Sequence, residues 1–555
     1  MRTARAAWSE RAQAVVIGWF CGGAGRGLAG VWVLAAGLAL SHGLGAVGYS
    51  APAVAPTAAE VLGARELEGR ASGGLERAGG AQQGGAGAAA GVGAAAQGRG
   101  GGPNVVLIVV DDLGFGDLGC FGREGAVTPR IDGMAREGLR VAQFYVGGPE
   151  CSPSRAAMLT GRFPAEVAVH RAFVDPAANR ARGMADWLDP GLPNLARGLA
   201  ARGYSCRMFG KWHLGSTQAP GVPGPEAYGF ERATTSAELG AGVQVRAERA
   251  RASERLVDAV LEDLRSDPEG PWFLWVALPD MHHPLLPSDE QLEPFRRFDP
   301  RQVPWPGPEE IFLAALAEMD RQVGRLLDGI EALGLGADTL VLLTSDNGPE
   351  HPEVALANHA AAGSTGPLRG RKTSLYEGGI RVPLIARWPG RVPAGQVDER
   401  SVLAGIDLLP TLLALGGRPA SAEERGGGRG EDFSAALFGG DFQRQGPLFW
   451  EWRFSTHGHP ADASPRLALR RGPWKLLANP SGNRLELFDV VQDPYELENR
   501  AALEPERTQK LLAELRRWHA GLPAGSAAPD AGKRPKPWPR ALDAGSEPRA
   551  PGKPR

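Results

Sequence analysis

The sequence predicts an α/β protein in which helices sandwich a large, mainly parallel sheet, followed by a small antiparallel sheet with one helix. The first part rests on three continuous apolar runs of strand length: Asn104–Val110, Trp272–Leu278 and Thr339–Ser345. Apolar runs without polar alternation suit strands that are buried on both faces. Segments with helical periodicity separate these runs, and such alternation is typical of a layered α/β fold.

The intervening elements follow the same alternation. Helices are predicted at 131–138, 192–202, 253–264 and 309–333, and further strands at 139–144 and 205–209. Ligands of such sheets collect beyond the carboxyl ends of the strands, so polar residues just after a strand become candidates for function. The chain then changes character, with short strands predicted at 447–452, 466–471, 474–478 and 485–489 and a closing helix at 508–522. Short strands with turn residues between them indicate the small antiparallel sheet.

The 555-residue chain is longer than one typical domain. Residues 1–55 begin with several arginines and continue into an apolar stretch, which predicts an export signal or an uncleaved signal anchor. We expect residues 56–102 to form a Gly/Ala-rich linker, 103–440 the main domain, 441–523 a C-terminal α+β subdomain, and 524–555 a Pro-rich, basic, disordered tail. The protein is expected to be exported: periplasmic, secreted or anchored to a membrane by its N-terminal segment.

Composition excludes some classes of protein. A net charge of −2 gives no reason to expect nucleic acid as a partner. Only four cysteines occur, Cys21, Cys120, Cys151 and Cys206, too few for a disulfide scaffold and without CxxC spacing for a metal site. For Cys120 and Cys206, a disulfide and two buried free thiols both remain open.

The motif Cys151-Ser-Pro-Ser-Arg155 places a reactive side chain at the start of a helix. Proline fits the first helical turn because the N–H groups there have no partner. The free N–H groups and the helix dipole favour an anion at this end, and Arg155 would lie one turn from Cys151. This suits a tetrahedral oxyanion such as sulfate or phosphate. The alternative is a structural cysteine at a helix end.

Hard oxygen ligands follow two of the buried strands. Asp111 and Asp112 come directly after the first run, and Asp346 and Asn347 directly after the third. Carboxylate and amide oxygens favour Ca²⁺ or Mg²⁺ over zinc. An Asp pair alone can instead form a turn or a cap, but two such pairs after two strands strengthen the prediction of a metal site.

Gly114-Phe-Gly-Asp-Leu-Gly119 matches GxGxxG after a strand, but the acidic residues around it would repel a pyrophosphate and no convincing helix follows. A dinucleotide site is therefore disfavoured. Basic candidates are Lys211 and His213, which would point the same way if the segment is extended, with His282 after the second run and Lys372 in a basic loop. Each of these alone could equally be a surface or capping residue.

Taken together, these segments resemble the sulfatase family of the alkaline phosphatase superfamily, close to the arylsulfatase A and N-acetylgalactosamine-6-sulfatase group. The similarity runs from about Pro103 to Leu522 in family order. It is carried by VVDDLGFGDLG, TPRIDGMAREG, CSPSRAAMLTGR, GKWHLG, the strand before His282, TSDNG, LRGRKTSLYEGGIRVP and WKLL…LFDVVQDPYELEN. The combination of CSPSRAAMLTG with GKWHLG is highly specific. The resemblance implies an alkaline phosphatase-like fold and hydrolysis of sulfate esters.

The resemblance also implies roles for the candidate residues. Cys151 would be oxidised to formylglycine by a formylglycine-generating enzyme and would bind one Ca²⁺, or Mg²⁺, together with Asp111, Asp112, Asp346 and Asn347. Arg155 would join the formylglycine hydrate to the metal site, and His213 would act on its hydroxyl. Lys211, His282 and Lys372 would grip the sulfate, and His282 would protonate the leaving alcohol. A second histidine, His283, departs from the family pattern.

Two other functions stay open. One is a phosphoesterase of the wider superfamily, which would need a two-zinc site with further His and Asp ligands. The other is a non-catalytic binder of sulfated glycans. The substrate would be a sulfated carbohydrate rather than a small aryl sulfate, by analogy alone. Loops at 220–250, 287–308, 350–365 and 452–459 are expected to set specificity, and the sequence says nothing about oligomeric state.

Overall fold

The computed structural model describes residues 102–236, 238, 245–266, 270–303, 306–352, 358–523 and 530–532. The predicted export segment, all of the linker except its last residue, and nearly all of the predicted tail lie outside this part of the chain. In the described part, no helix is both long and apolar enough to span a membrane.

Among the described residues, nine strands form the main sheet. They are β1 Asn104–Val110, β2 Leu139–Tyr145, β3 Ser205–Gly210, β4 Arg232–Thr235, β5 Trp272–Leu278, β6 Thr339–Ser345, β7 Arg381–Arg387, β8 Gln396–Asp398 and β9 Leu403–Ala404. Their order is β4-β3-β5-β1-β6-β7-β2-β8, with β9 also paired to β2. Strand β7 runs antiparallel to both neighbours, and the other pairs are parallel. The prediction of a mainly parallel sheet is confirmed.

Helices cover both faces of this sheet. The α-helices are α1 Pro129–Arg136, α2 Cys151–Thr160, α3 Pro176–Ala181, α4 Leu195–Ala200, α5 Arg246–Arg249, α6 Ala252–Arg265, α7 Asp289–Leu292, α8 Pro308–Ala332, α9 Glu377–Ile380, α10 Leu408–Leu415, α11 Ala422–Arg425, α12 Ser434–Leu437 and α13 Pro505–Ala520. Alternate residues of β1 face two different apolar cores. Val105, Leu107 and Val109 join the core that includes α2, α4 and α10, and the residues between them join the core of α6 and α8. Burial on both faces explains the continuous apolar run.

The C-terminal part forms the predicted small sheet. Strands β10 Leu448–Glu451, β11 Leu467–Arg471, β12 Trp474–Ala478 and β13 Glu486–Asp489 pair in sequence order, all antiparallel. Helix α13 lies against β11 and β12. The Trp450 indole donates a hydrogen bond of 2.8 Å to the Val146 carbonyl of the main domain.

Some local predictions differ from the structure. The expected helix at 192–202 is shortened to α4, because the Asn194 side chain accepts from the Arg197 N–H and so begins the helix there. Cys120 and Cys206 are free thiols. The GKWHLG segment is not extended at His213, whose φ is +56°, so the periodicity argument for this pair does not hold.

The GxGxxG segment forms a loop and not the start of an α-helix. Its glycines allow a close backbone approach. A Cβ on Gly114 would lie 2.1 Å from the Ser364 carbonyl oxygen, and one on Gly116 would lie 2.1 Å from the Gly366 nitrogen. These glycines therefore serve packing between two loops, in agreement with the disfavoured dinucleotide site.

Candidate active site

Four neighbouring strands of the main sheet end at the same edge. Strands β3, β5, β1 and β6 are adjacent and parallel, so their carboxyl ends coincide. The residues that follow them are Lys211 after β3, His282 after β5, Asp111 and Asp112 after β1, and Asp346 and Asn347 after β6. The topology thus brings together candidates that are far apart in sequence.

The acidic residues and Cys151 converge on one point. One oxygen each of Asp111, Asp112 and Asp346 and the Cys151 Sγ all lie within 4.8 Å of one another. The Asn347 amide nitrogen donates to Asp112 Oδ1 at 2.6 Å, and its Oδ1 is buried without a hydrogen-bond partner among the described residues. An unpartnered amide oxygen beside converging carboxylates is a donor set that a hard cation would complete.

The charges in this cluster are strongly coupled. Burial, together with repulsion from neighbouring carboxylates, raises the pKa of Asp112 to about 8. Burial would raise the pKa of Asp111 as well, but Lys211 and the other nearby cations hold it well below its ordinary value. Carboxylates packed this closely favour a bound cation, which offsets their mutual repulsion.

Cys151 is the first residue of α2. Glu150 before it is extended, and Pro153 lies in the first helical turn, as the sequence predicted. The Sγ lies 3.4 Å from Asp111 Oδ1 and 3.4 Å from Lys211 Nζ. Burial raises the pKa of the Cys151 thiol well above its ordinary value. The charge of Lys211 opposes this rise in the pKa, and the charge of Asp111 adds to it. A protonated thiol is a poor nucleophile, so direct attack by this sulfur is disfavoured.

Arg155 connects three parts of the site from a fully buried position. Its Nε and Nη2 donate to Asp346 Oδ2 at 2.9 and 2.7 Å, and its Nη1 donates to the Lys211 carbonyl at 2.5 Å. Its Nη2 lies 4.0 Å from Asp111 Oδ1, the atom nearest Cys151. The guanidinium therefore fixes a proposed metal ligand and the segment after β3 at the same time.

The two lysines lie against the acidic cluster. Lys211 Nζ lies 2.5 Å from Asp111 Oδ2, and Lys372 Nζ lies 2.7 Å from Asp112 Oδ2. Glu350 holds Lys372 as well, with its Oε2 3.0 Å from Nζ. Burial opposes the charge on Lys372, but the surrounding carboxylates raise its pKa well above its ordinary value. Both ammonium groups remain charged next to position 151.

The histidines occupy different environments. His282 Nε2 lies 4.0 Å from Asp112 Oδ2, while its Nδ1 contacts the His283 carbonyl at 2.8 Å. His213 Nε2 lies 3.2 Å from the Phe173 carbonyl, and its buried Nδ1 has no partner among the described residues. Because a carbonyl can only accept, the proton of the neutral His213 ring lies on Nε2, and Nδ1 is left as an unoccupied acceptor. Burial, with Lys211 and Arg155 nearby, lowers the pKa of His213 to about 3, so the ring is neutral.

Sequence reasoning missed the role of Glu350 and assigned no role to His283. Glu350 bridges Lys372 and His283, whose Nδ1 lies 3.5 Å from its Oε2. The His282 and His283 rings stack with centroids 4.3 Å apart. Glu350 stands three residues after Asn347, and this short spacing was the only available signal for it.

Comparisons with known proteins agree with this arrangement. The family model described as "Sulfatase" matches residues 103–418, more than half of the chain. The chain belongs to the sulfatase family. A second family model, "N-sulphoglucosamine sulphohydrolase, C-terminal", matches residues 371–520 of this sulfatase. The family assignment shows that the protein is an enzyme that hydrolyses sulfate esters.

Individual relatives support the assignment. The sulfatase is 33% identical to human arylsulfatase A over 413 residues, which is 67% of this chain and 74% of that protein. It is 31% identical to N-acetylgalactosamine-6-sulfatase of Rattus norvegicus over 367 residues, covering 56% and 66% of the two chains.

Solved structures share the fold. A structure of Ps i-CgsB in complex with k-i-k-neocarrahexaose has a TM-score of 0.62 at 23% identity and covers 75% of this chain and 92% of that chain. A structure of BT4656 with its substrate D-glucosamine-2-N,6-O-disulfate has a TM-score of 0.57 at 17% identity, covering 76% and 98%. At these identities the likeness concerns the fold.

Proposed function

We propose that this sulfatase removes sulfate from sulfated glycans, using formylglycine formed from Cys151 and one Ca²⁺ ion, for which Mg²⁺ could substitute. The observation that carries the proposal is the position of Cys151. Its buried thiol lies among three carboxylates and a lysine, where it is poorly suited to act as a thiolate. Oxidation to an aldehyde would give this position a reactive group, whereas the buried, protonated thiol is a poor nucleophile.

The residues present fit a hard divalent cation. Asp111, Asp112 and Asp346 would hold it together with the unpartnered Oδ1 of Asn347 and an oxygen at position 151. When bound, the ion would lower the pKa of an attacking hydroxyl and balance charge on the sulfuryl oxygens.

Each side chain around position 151 then has its own role in the reaction. A formylglycine hydrate supplies one hydroxyl that attacks sulfur and a second whose deprotonation releases sulfate. We assign that second proton to His213, because its Nδ1 is an unpartnered, neutral acceptor. Lys211 and Lys372 hold the sulfate oxygens, and Arg155 keeps the first of these lysines and Asp346 in place.

His282 would protonate the leaving alcohol from Nε2, which lies 4.0 Å from Asp112 Oδ2. Its Nδ1 already donates to the His283 carbonyl, so Nε2 can give up a proton only from the imidazolium form of the ring. Burial lowers the pKa of His282 well below its ordinary value, and a bound sulfate anion would raise that pKa and supply the charged form.

A sulfated glycan is the proposed substrate class, with aryl sulfates as the alternative. The names of two relatives support it, since one is an N-acetylgalactosamine-6-sulfatase and another was solved with a sulfated glucosamine. Export through the N-terminal segment would bring the enzyme to such polymers, after maturation by a formylglycine-generating enzyme.

Peptide mass spectrometry tests the modification directly. We expect the peptide that contains Cys151 to carry an aldehyde in active enzyme, detectable by its mass and by reaction with a hydrazide. The Cys120 peptide serves as the control and should remain a thiol. If active protein contains only unmodified Cys151, the formylglycine mechanism is wrong.

Sulfate release from a panel of sulfated glycans, alongside 4-nitrophenyl sulfate and 4-nitrophenyl phosphate, tests the reaction. We expect sulfate turnover to exceed phosphate turnover. In the described residues the groups able to hold a metal are two overlapping sets that share Asp111 and Cys151, which favours one ion over a two-zinc site. Phosphate hydrolysis far above sulfate hydrolysis would support the phosphoesterase alternative. Glycan binding without any sulfate release would support the binder.

Removal of divalent ions should abolish activity and lower thermal stability. Without a cation, the buried carboxylates repel one another and part of their charge must be neutralised by protons or lysines. We expect dialysis against EDTA to eliminate sulfate release, and Ca²⁺ to restore both activity and Tm. An Asp346→Asn variant should show a weaker Tm response to Ca²⁺. A Tm that does not respond to any divalent ion would contradict the metal site.

A further inference from the structure

One of the predicted specificity loops, 452–459, is described throughout, and it borders the active site at two places. At one end the Thr456 hydroxyl donates to the Thr373 carbonyl at 3.1 Å, and Thr373 follows Lys372. Thr373 N in turn donates to the Pro149 carbonyl at 2.7 Å, two residues before Cys151. The loop is therefore joined through Thr373 to the segment just before Cys151.

The other end of this loop meets a pair of arginines. The Arg171 guanidinium lies over the rings of Trp452 and Phe454, with its Cζ 5.7 and 5.4 Å from their centroids. The Arg182 Cζ lies 6.0 Å from the Phe454 centroid. The Phe454 ring thus contacts the guanidinium groups of both Arg171 and Arg182, which places the two groups close together.

The segment that carries Arg171 is fastened to the start of α2. Ala172 N donates to Glu150 Oε2 at 2.6 Å, and Phe173 N donates to the Ser152 hydroxyl at 3.2 Å. Glu150 and Ser152 flank Cys151, and the Phe173 carbonyl contacts His213. The segment that carries Arg171 is therefore held against the residues on either side of Cys151, and its Phe173 contacts His213.

The positive charge of this pair is only partly balanced. Arg171 Nε donates to Glu150 Oε1 at 3.3 Å, and its two terminal nitrogens have no hydrogen-bond partner among the described residues. Arg182 has a single side-chain hydrogen bond in that part of the chain, to the Ala172 carbonyl, and no ion pair. The nearby Asp175 carboxylate accepts from two N–H groups at the start of α3. Burial, followed by repulsion from Arg171, lowers the pKa of Arg182.

We infer that Arg171 and Arg182, backed by Phe454, form a subsite for a second anionic group of the substrate, a sulfate or a carboxylate apart from the ester that is cleaved. This inference rests on the proposed glycan substrate. Arginine pairs bind such groups through charge-assisted, bidentate hydrogen bonds, and an anion here would relieve the repulsion between the guanidiniums. The subsite would favour multiply charged glycans over singly charged esters.

The test compares the parent with Arg171→Ala, Arg182→Ala and the double variant. Substrates are 4-nitrophenyl sulfate and each glycan from which the parent releases sulfate, the latter also after carboxyl reduction and with the additional sulfates removed. For multiply charged glycans we expect the double variant to lose about 10- to 100-fold in kcat/KM, mainly through KM and less so at high salt. For 4-nitrophenyl sulfate the change should stay below about 3-fold. The modified glycans show whether a carboxylate or a sulfate occupies the subsite.

Arg180→Ala is the matched control, since it removes an exposed arginine of α3 that lies two residues before Arg182. Arg171→Lys and Arg182→Lys keep the charge without the planar fork and should give intermediate KM values. Three results would overturn the subsite. The variants could lose activity equally on both substrate classes with a lowered Tm, or they could lose none on any glycan. The parent could also cleave 4-nitrophenyl sulfate alone. If the parent releases sulfate from none of these compounds, the proposed function itself fails, and calorimetric binding of a sulfated hexasaccharide to parent and double variant then decides the subsite alone.

Discussion

Replacement of Cys151 by serine should reduce steady-state sulfate release by at least about 10⁴-fold, the order expected when a covalent nucleophile is lost. The chemical reason is the number of oxygens at this position. A serine hydroxyl can attack sulfur once, but it has no second hydroxyl whose deprotonation would expel the sulfate. The serine variant should therefore release a single equivalent of alcohol, retain the sulfuryl group and stop.

Intact-protein mass spectrometry after incubation with 4-nitrophenyl sulfate measures that retained group, and a rapid-mixing assay measures the single burst. Cys151→Ala removes the oxygen altogether and should give neither the burst nor the added mass. Cys120→Ser provides a control, because this partly buried thiol packs against the core of α6 and α8 and belongs to none of the site contacts described above, so its loss should leave turnover unchanged. Sustained turnover by the serine variant would contradict the role of a formylglycine hydrate.

The elements that sequence alone located best are those buried on both faces. β1, β5 and β6 have the predicted bounds, because a continuous apolar run of strand length leaves little choice of structure. β7 escaped prediction. It contains Pro383, begins and ends with arginine, and directly follows a four-residue helix, so its local signal resembles a loop. Its antiparallel orientation depends on tertiary pairing with β6 and β2, which no local pattern encodes.

In the site, as in the fold, features set by strands could be predicted and features set by tertiary contacts could not. The sequence predicted that Asp111 and Asp346 would contribute to one metal site and that His282 would lie at a strand end, because ligands of parallel sheets collect beyond the carboxyl ends of the strands. The observed order of the strands brings all three to one edge of the sheet. The contacts between loops could not be predicted in this way. Glu350 reaches Lys372, and Arg171 reaches Phe454, through the tertiary paths of irregular segments. Periodicity carries no information about such paths, and motif spacing carries little.

Replacement of Arg155 by alanine should cost roughly 3–5 kcal/mol of stability, the range for removing one partner of a buried ion pair. The side chain is fully buried and makes two hydrogen bonds to Asp346 and one to the Lys211 carbonyl. Alanine leaves the Asp346 carboxylate buried without its partner and releases the segment after β3. Sulfate release should fall by at least about 10³-fold, since the preorganisation of the site is lost.

Urea unfolding followed by circular dichroism measures the stability change, with activity assayed where each variant remains folded. Arg136→Ala, at the exposed end of α1, should change stability by less than about 0.5 kcal/mol. Arg155→Lys keeps the positive charge but cannot make both contacts, so it should fall between parent and alanine. An alanine variant as stable as the parent would contradict the buried ion pair.

The Arg155 effect should also depend on the metal. Asp346 presents Oδ2 to Arg155 and Oδ1 to the Asp112 N–H, and the proposed ion draws on the same carboxylate. A cation bound to Asp346 offsets part of the negative charge of that carboxylate, as the Arg155 guanidinium does. We therefore expect the loss of stability in Arg155→Ala to be larger in EDTA than in saturating Ca²⁺. Because Arg155 and the ion act on one carboxylate, their contributions should not add, and equal losses in both conditions would place the ion elsewhere.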